Sequence, residues 1–254
     1  MNALLNLVLF KTVASLRIEV SRYYLNYLWW AIEPVLSMMV FYVVFGIFLN
    51  RSAENYVGVL LVGLMAWNWF ARSIEHASMS IYQGRGLMNQ VVISKLFFPL
   101  EVVLRDTFKN SIVVVLLLVF LLFYTTPVSI TWCALPVVLL VEAALIFGLA
   151  ILSAALVPYV PDLQFVISTG LHLMFFGSGV FFRIEDVVLP KHQFLMYLNP
   201  MAGLIKAYRD ILIYAQWPDW SYLGTVFLCS MSVLGFSIWL VKKLDHDFPR
   251  VCNQ

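Results

Sequence analysis

Apolar residues run in long stretches between isolated charges in this chain. The charge-free runs cover residues 34–50, 55–71, 110–141, 143–161, 163–182 and 220–241. A helix crosses the hydrocarbon core of a bilayer in about 20 residues. The run 110–141 is long enough for more than one crossing, and it divides at Thr125-Thr126-Pro127, a tight polar turn. Glu142 alone then interrupts the following span. The pattern predicts an all-α polytopic membrane protein with one transmembrane domain. Its six transmembrane helices fall at about 30–50, 56–73, 108–125, 131–157, 163–182 and 220–241. The first two runs are short, so flanking Trp, Asn and Arg residues serve as interface anchors.

Three segments do not fit a span. In residues 1–28, Lys11, Ser15, Glu19, Arg22 and Asn26 share one helical stripe, and Leu9, Val13, Leu16, Val20, Tyr24 and Tyr27 share the opposite one. That spacing predicts an amphipathic helix in the membrane interface. The aromatic cluster Tyr23, Tyr24, Tyr27, Trp29 and Trp30 reads either as an interfacial belt or as a platform for apolar sugar faces. The second segment, 74–107, contains Gly84 and Gly86, which break a helix, and Pro99, which suits a first helical turn. Between those breaks a short helix is predicted over 87–98. Its Leu87, Met88, Val91, Val92, Phe97 and Phe98, with Lys95 among them, present more apolar surface than a plain connector exposes without a partner. It therefore reads as a docking element. The third, 183–219, is weakened by Gly177 and Gly179 just before it and turns at Pro190 and at Asn199-Pro200, with Arg183 at its start. Its apolar stretches are too short to span, which predicts a re-entrant or interfacial cap. Beyond Pro200, Leu204, Tyr208, Ile211 and Ala215 mark one face, with Lys206, Arg209 and Asp210 around the other.

Composition agrees with lipid as the solvent. The 254 residues are 62% hydrophobic and 12% charged, with mean hydropathy +0.89, against about 45–50% and about 25% in soluble domains. A net charge of +2, with no dense basic stripe, excludes a nucleic-acid binder. Of the 16 Lys and Arg, eleven lie before residue 23, between 72 and 109, or after 241; five lie at Arg51, Arg183, Lys191, Lys206 and Arg209. The positive-inside bias then puts both termini and the 74–107 segment in the cytoplasm. The first residues lack a signal-peptide pattern and read as mature protein. Cys133, Cys229 and Cys252 are scattered and form no ligand spacing.

Chemistry is sparse. No phosphate-cradling GxxxxGK[ST] occurs, so no nucleotide site is expected in this chain. Asp245-His246-Asp247 reads as a solvated tail ahead of a metal-binding triplet, and Glu185-Asp186 as surface charge beside Arg183. Glu142, in mid-span, reads as a structural hydrogen-bond acceptor, a polar conduit wall or a proton-coupling group, because a charge there is costly.

Six stretches in order across roughly 17–215 resemble the permease subunit of type-2 ABC exporters, particularly polysaccharide exporters. They are YLNYLWWAIEPVLSMMVFYVVFG, LLVGLMAWNWF, GLMNQVVISKLFFPLEVVL, LVPYVPDLQFVI, LMFFGSGVFF and LNPMAGLIKAYRDILI. Two departures stand out: YVPD, keeping only Asp162 of a frequent Arg-Asp turn, and Gly179 where a Ser-Pro is frequent. The resemblance implies a transport permease with no catalysis of its own. It implies a homodimer with two copies of a separate cytoplasmic ATPase that carries ATP and Mg. Residues 87–98 would be the coupling helix and 183–200 the periplasmic gate. The bacterial inner membrane would be its location. The implied cargo is a glycan on an undecaprenyl-diphosphate lipid, as for O-antigen, with capsule, teichoic acid, lipid or drug as alternatives. Tyr23 to Trp30 would sit near the entry of that lipid-linked glycan. A membrane enzyme using a polyprenyl-linked donor would need a gathering of loop acids, hinted at only by Asp245 and Asp247. A non-transporting scaffold would leave the docking and re-entrant segments unexplained.

Overall fold

The computed structural model of the chain describes residues 2–21, 28–48, 55–91, 93–123, 128–245 and 247–251. Tyr23, Tyr24, Tyr27 and Val92 lie outside them, as does the side chain of Trp30. The described residues are mostly helical and contain no strand. In chain order the helices are α1 (Asn2–Ser21), α2 (Leu28–Phe41, continued by a π-helical stretch Tyr42–Phe48) and α3 (Tyr56–Ser78). Two single turns follow, α4 (Ser80–Gln83) and α5 (Arg85–Met88), and then α6 (Phe97–Phe123). A 3-10 turn, Ile130–Ala134, leads into α7 (Leu135–Leu156), with α8 (Leu163–Gly177) after it. Then come α9 (Ile184–Val187), α10 (Pro190–Tyr197), α11 (Pro200–Leu212), α12 (Trp220–Leu244) and α13 (Phe248–Val251). Four helices among the described residues are long and apolar enough to cross a membrane: α3, α6, the 3-10 turn with α7, and α12. α8 is apolar but shorter.

The bundle is built around α3, which packs on α6, α7, α8 and α11. Leu60, Leu61, Val62, Ala66 and Phe70 of α3 are almost wholly buried in the main core. α12 packs along α7, and small residues let the two backbones meet. A Cβ on Gly148 would stand 3.2 Å from the backbone nitrogen of Leu234. Ser237 Oγ also donates to the Gly148 carbonyl at 2.9 Å. Close approach through small residues is how helices associate where lipid removes the hydrophobic drive between them. A second core gathers Val8 of α1, Ile81, Met88, Leu96, Phe97, Phe98, Ile151, Val241 and Phe248. α1 and α13, the first and last helices described, therefore meet at one end of the bundle, called here the terminal end. The segment after α8 closes the far end.

Two expectations are corrected. Residues 87–98 are not one helix: α5 stops at Met88, turns follow, and α6 begins at Phe97. Pro99 does sit in the first turn of α6, but Gly84 is not needed for its backbone angles (φ −75°). Its hydrogen atom makes room for the Phe98 ring, whose nearest atom would lie 2.2 Å from an added Cβ. The second correction concerns α1. Val8, Thr12 and Leu16 are buried, while Leu9 and Val13 are exposed. The buried stripe is thus turned from the expected one. α1 lies against α6, where Glu19 of the expected polar stripe meets Lys109, while Lys11 of the same stripe stays exposed.

Candidate functional site

Two polar regions stand at opposite ends of α3. At the terminal end, Asn68, Arg72 and His76 follow each other at four-residue spacing, so they share one face of α3. Asp106, Lys109, Asn110 and Val113 line the facing side of α6. With Glu19 of α1 and Trp29, Pro34 and Ser37 of α2, they enclose a cavity of about 240 Å³. A water occupies about 30 Å³ in the liquid, so the cavity holds several waters or one phosphate-ester group. His76 Nδ1 lies 2.8 Å from Asp106 Oδ2, which makes Nδ1 the protonated nitrogen when Asp106 is ionised. Lys109 Nζ donates to Glu19 Oε1 at 2.5 Å. Trp69 lines the same cavity, and its buried Nε1 has no partner among the described residues.

A wider groove of about 640 Å³ shares Glu19, His76, Asp106 and Lys109 with that cavity. It is bordered by Lys11, Gln83, Leu87, Phe97, Phe98, Glu101 and Arg105. The two spaces form a polar path from the surface of the terminal end into the side of α3. Basic groups from three helices border it: Lys11 of α1, Arg72 and His76 of α3, and Arg105 and Lys109 of α6. Lys11, Arg72 and His76 are exposed and Arg105 and Lys109 half-buried, so the path presents solvated positive charge beside the apolar bundle.

The far end is built differently. α8 ends at Gly177, and the chain then runs without helix to Arg183, with Gly179 at φ +67°, a region open to glycine. The carbonyls of this irregular stretch need partners where water is excluded. Arg209 of α11 supplies them. Its Nη1 donates to Gly179 O at 2.8 Å and to Phe182 O at 3.1 Å. Its Nη2 donates to Val180 O at 2.7 Å, and its Nε to Val59 O of α3 at 3.1 Å. Gly63 of α3 leaves the room, since a Cβ there would sit 2.8 Å from Arg209 Nη2. The planar fork of five donors is what allows one side chain to serve several carbonyls. Arg209 is only 4% exposed, which corrects its expected place on the polar face of this helix.

Further bonds lock the same end. Tyr208 Oη donates to Glu142 Oε2 at 2.5 Å, which accounts for the carboxyl in the middle of α7 as a hydrogen-bond acceptor. Tyr56 Oη reaches Phe181 O at 3.2 Å, and Thr131 Oγ1 reaches Ile211 O at 2.9 Å. Asn199 caps α11 by accepting from Met201 N at 3.1 Å, and its amide donates to Ser178 Oγ at 2.7 Å. Nearer the surface, Lys206 Nζ lies 2.7 Å and Tyr197 Oη 2.6 Å from Glu185 Oε1. Burial alone would raise the pKa of Glu185, but those two hydrogen bonds and the lysine charge outweigh it and hold it at about 2. Asp210 is pushed up to about 6 by burial, against the nearby Lys206, Arg183 and Arg209 charges and with Glu185 adding to the rise.

The residues singled out from sequence fall into place as follows. Trp29 borders the terminal-end cavity and is partly exposed. Leu87 and Val91 are exposed, whereas Met88, Lys95, Phe97 and Phe98 are buried within the chain. Gly177, Gly179, Pro190, Asn199 and Pro200 end, kink or start the far-end helices. Arg183 stacks over the Tyr214 ring, 4.4 Å from its centroid, and stands 3.8 Å from Asp186. Sequence reading missed Asn68, Arg72, His76, Asp106 and Lys109 as a group. The four-residue spacing of Asn68, Arg72 and His76 within an apolar helix was the available signal.

A family profile described as "ABC-2 type transporter" matches residues 11–213. Over 251 residues the chain is 25% identical to an "O-antigen export system permease protein RfbA" of Klebsiella pneumoniae, covering 98% of this chain and 95% of that one. A protein of the same description from Myxococcus xanthus is 27% identical over 226 residues, covering 89% and 87%.

Proposed function

We propose, from the premise that this chain belongs to the ABC-2 type transporter family, that it is the permease of an exporter for lipid-linked polysaccharide of the O-antigen kind. The full-length similarity to O-antigen export permeases supports this cargo class. The observation that carries the reading is the polar path at the terminal end, which opens beside α3 and is bordered by Arg72, His76 and Lys109. An anionic phosphate-ester headgroup suits those cations, and its lipid tail suits the apolar outer faces of α1 and α2. In this reading the terminal end faces the cytoplasm and the chain sits in the bacterial inner membrane. α2 with its π-helical continuation and α8 complete six crossings with the four long helices. Two copies of the chain pair, and two copies of an ATPase with ATP and Mg supply the energy from below. Leu87 and Val91, exposed beside the groove, belong to the docking surface. The Arg209-braced far end forms the outer barrier.

The test is removal of the chain from cells that make the glycan. Surface polysaccharide should vanish on gels while lipid-linked glycan accumulates inside. Normal surface polysaccharide without the chain would sink the proposal.

A further inference from the structure

The triplet read from sequence as a solvated tail is flanked by anchored residues: Asp247 is exposed, but Asp245 is half-buried and the next residue, Phe248, enters the protein. Phe248 of α13 is fully buried. Its ring meets Tyr159 edge-on, with centroids 5.8 Å apart. It shares an apolar cluster with Met88, Leu96 and Phe97 from the α5–α6 connection, and with Val8 of α1. Three residues earlier, Asp245 Oδ1 accepts the backbone N–H of Lys95 at 3.2 Å. The Lys95 ammonium, itself buried, stands 3.8 Å from Asp245 Oδ2. One short segment therefore touches both loops of the terminal end: the α5–α6 connection, 89–96, and the α7–α8 connection, 157–162.

The α5–α6 connection has reason to need such support. Between Met88 and Phe97 its described residues form turns and a bend, with no regular helix or strand among them. The Lys95 amide finds its acceptor in a side chain from another part of the sequence. We infer that Asp245 and Phe248 are positioning residues. They form a clasp that sets the two connections at a fixed distance, so that a push on either is carried into α7 and α12. The second half of this inference rests on the proposed function, in which these loops face the ATPase.

The experiment uses the full chain in lipid nanodiscs and has two arms. The first is hydrogen exchange without any partner. Asp245→Ala and Phe248→Ala should each speed exchange across 93–97 at least tenfold while the interior of α7 is unchanged. Asp245→Asn, which keeps the acceptor oxygen, should restore protection at Lys95. Unchanged exchange in both alanine variants would overturn the clasp whatever the cargo is. The second arm uses the chain with its ATPase and measures glycan exported per ATP hydrolysed. Asp245→Ala should leave association and hydrolysis intact and lower export per ATP severalfold, with Asn again restoring it. Faster exchange with an unchanged export ratio would overturn the positioning role. Failure of any ATPase to bind the wild-type chain would count against the proposed function while the exchange result still stood.

Discussion

The two ends of α3 are held by different kinds of bond. At the far end, buried side chains bond to backbone carbonyls: Arg209 to four of them, Tyr56 and Thr131 to one each. At the terminal end, charged side chains pair with one another around open space, as Lys109 does with Glu19 and His76 with Asp106. A hydrogen bond from a charged group contributes about 1.5–3 kcal/mol net and costs more when one partner is left buried and alone. A partly exposed ion pair contributes about 0–1 kcal/mol. The far end is thus a stiff closure, and the terminal end is a wet opening whose side chains rearrange at small cost. Under the proposed function, in which cargo enters at the terminal end and the far end is the barrier, that asymmetry has a use.

The sharpest way to break the comparison is Arg209→Leu. It would leave the carbonyls of Gly179, Val180 and Phe182 without that donor, while Val59 keeps its helical partner, and we expect a loss of about 1–3 kcal/mol for each acceptor left buried and alone. Thermal unfolding in nanodiscs would read it, and Arg209→Lys should rescue little because an ammonium lacks the planar fork. A melting curve equal to wild type would show that the far end is not braced in this way. Tyr208→Phe ranks next. It leaves Glu142 buried without its donor, and about 1–3 kcal/mol should be lost. Glu142→Leu in the same background should recover part of the loss, and a double variant no better than Tyr208→Phe would contradict the account. Lys109→Gln at the terminal end should cost no more than about 1 kcal/mol, and the difference from wild type should shrink in high salt. A loss as large as that of Arg209→Leu would erase the contrast between the ends.

Much of the helical layout was legible, and the exceptions share a cause. The start of α3 at Tyr56, of α8 at Leu163 and of α12 at Trp220 coincide with the expected boundaries, because those helices begin where an apolar run begins. α6 begins at Phe97, well before the expected 108. Charges at Glu101, Arg105, Asp106 and Lys109 end the apolar run, but they do not end the helix. Apolar runs mark the lipid, not the hydrogen-bonded element. Arg209 escaped for a different reason. Its acceptors lie at residues 59 and 179–182, distant in sequence, and no local pattern distinguishes an arginine facing water from one facing stranded carbonyls. The polar stripe Asn68, Arg72 and His76 could have been found by spacing alone.

The smallest expected effect is a pH response of the far end. Asp210 has its pKa raised to about 6, so the folded state holds its proton more tightly than the unfolded chain does. Its contribution therefore improves as pH falls through about 6 and is worst above it. Glu185, held at about 2, acts in the opposite sense, and its contribution is lost only as pH drops below the ordinary carboxylate range. Between pH 7.5 and 5 the melting temperature should rise slightly, and Asp210→Asn should flatten that rise. A rise that survives Asp210→Asn would assign it to another group.

The burial of α3 also bears on how the chain is made. In its most apolar stretch, 83% of residues are covered by the rest of the chain, against 28% for α6 and 22% for α12, and α3 is the least apolar of the four long helices. α3 also carries Asn68 and Arg72 on one face, the arginine towards its terminal-end boundary. Its neighbours α6 and α7 are synthesised after it. α3 is therefore poorly suited to lipid at the moment it emerges and well suited to protein once residues 97–156 have followed. Its final seating is expected to follow the synthesis of residues 97–156, and a chain truncated before residue 97 should leave α3 poorly inserted.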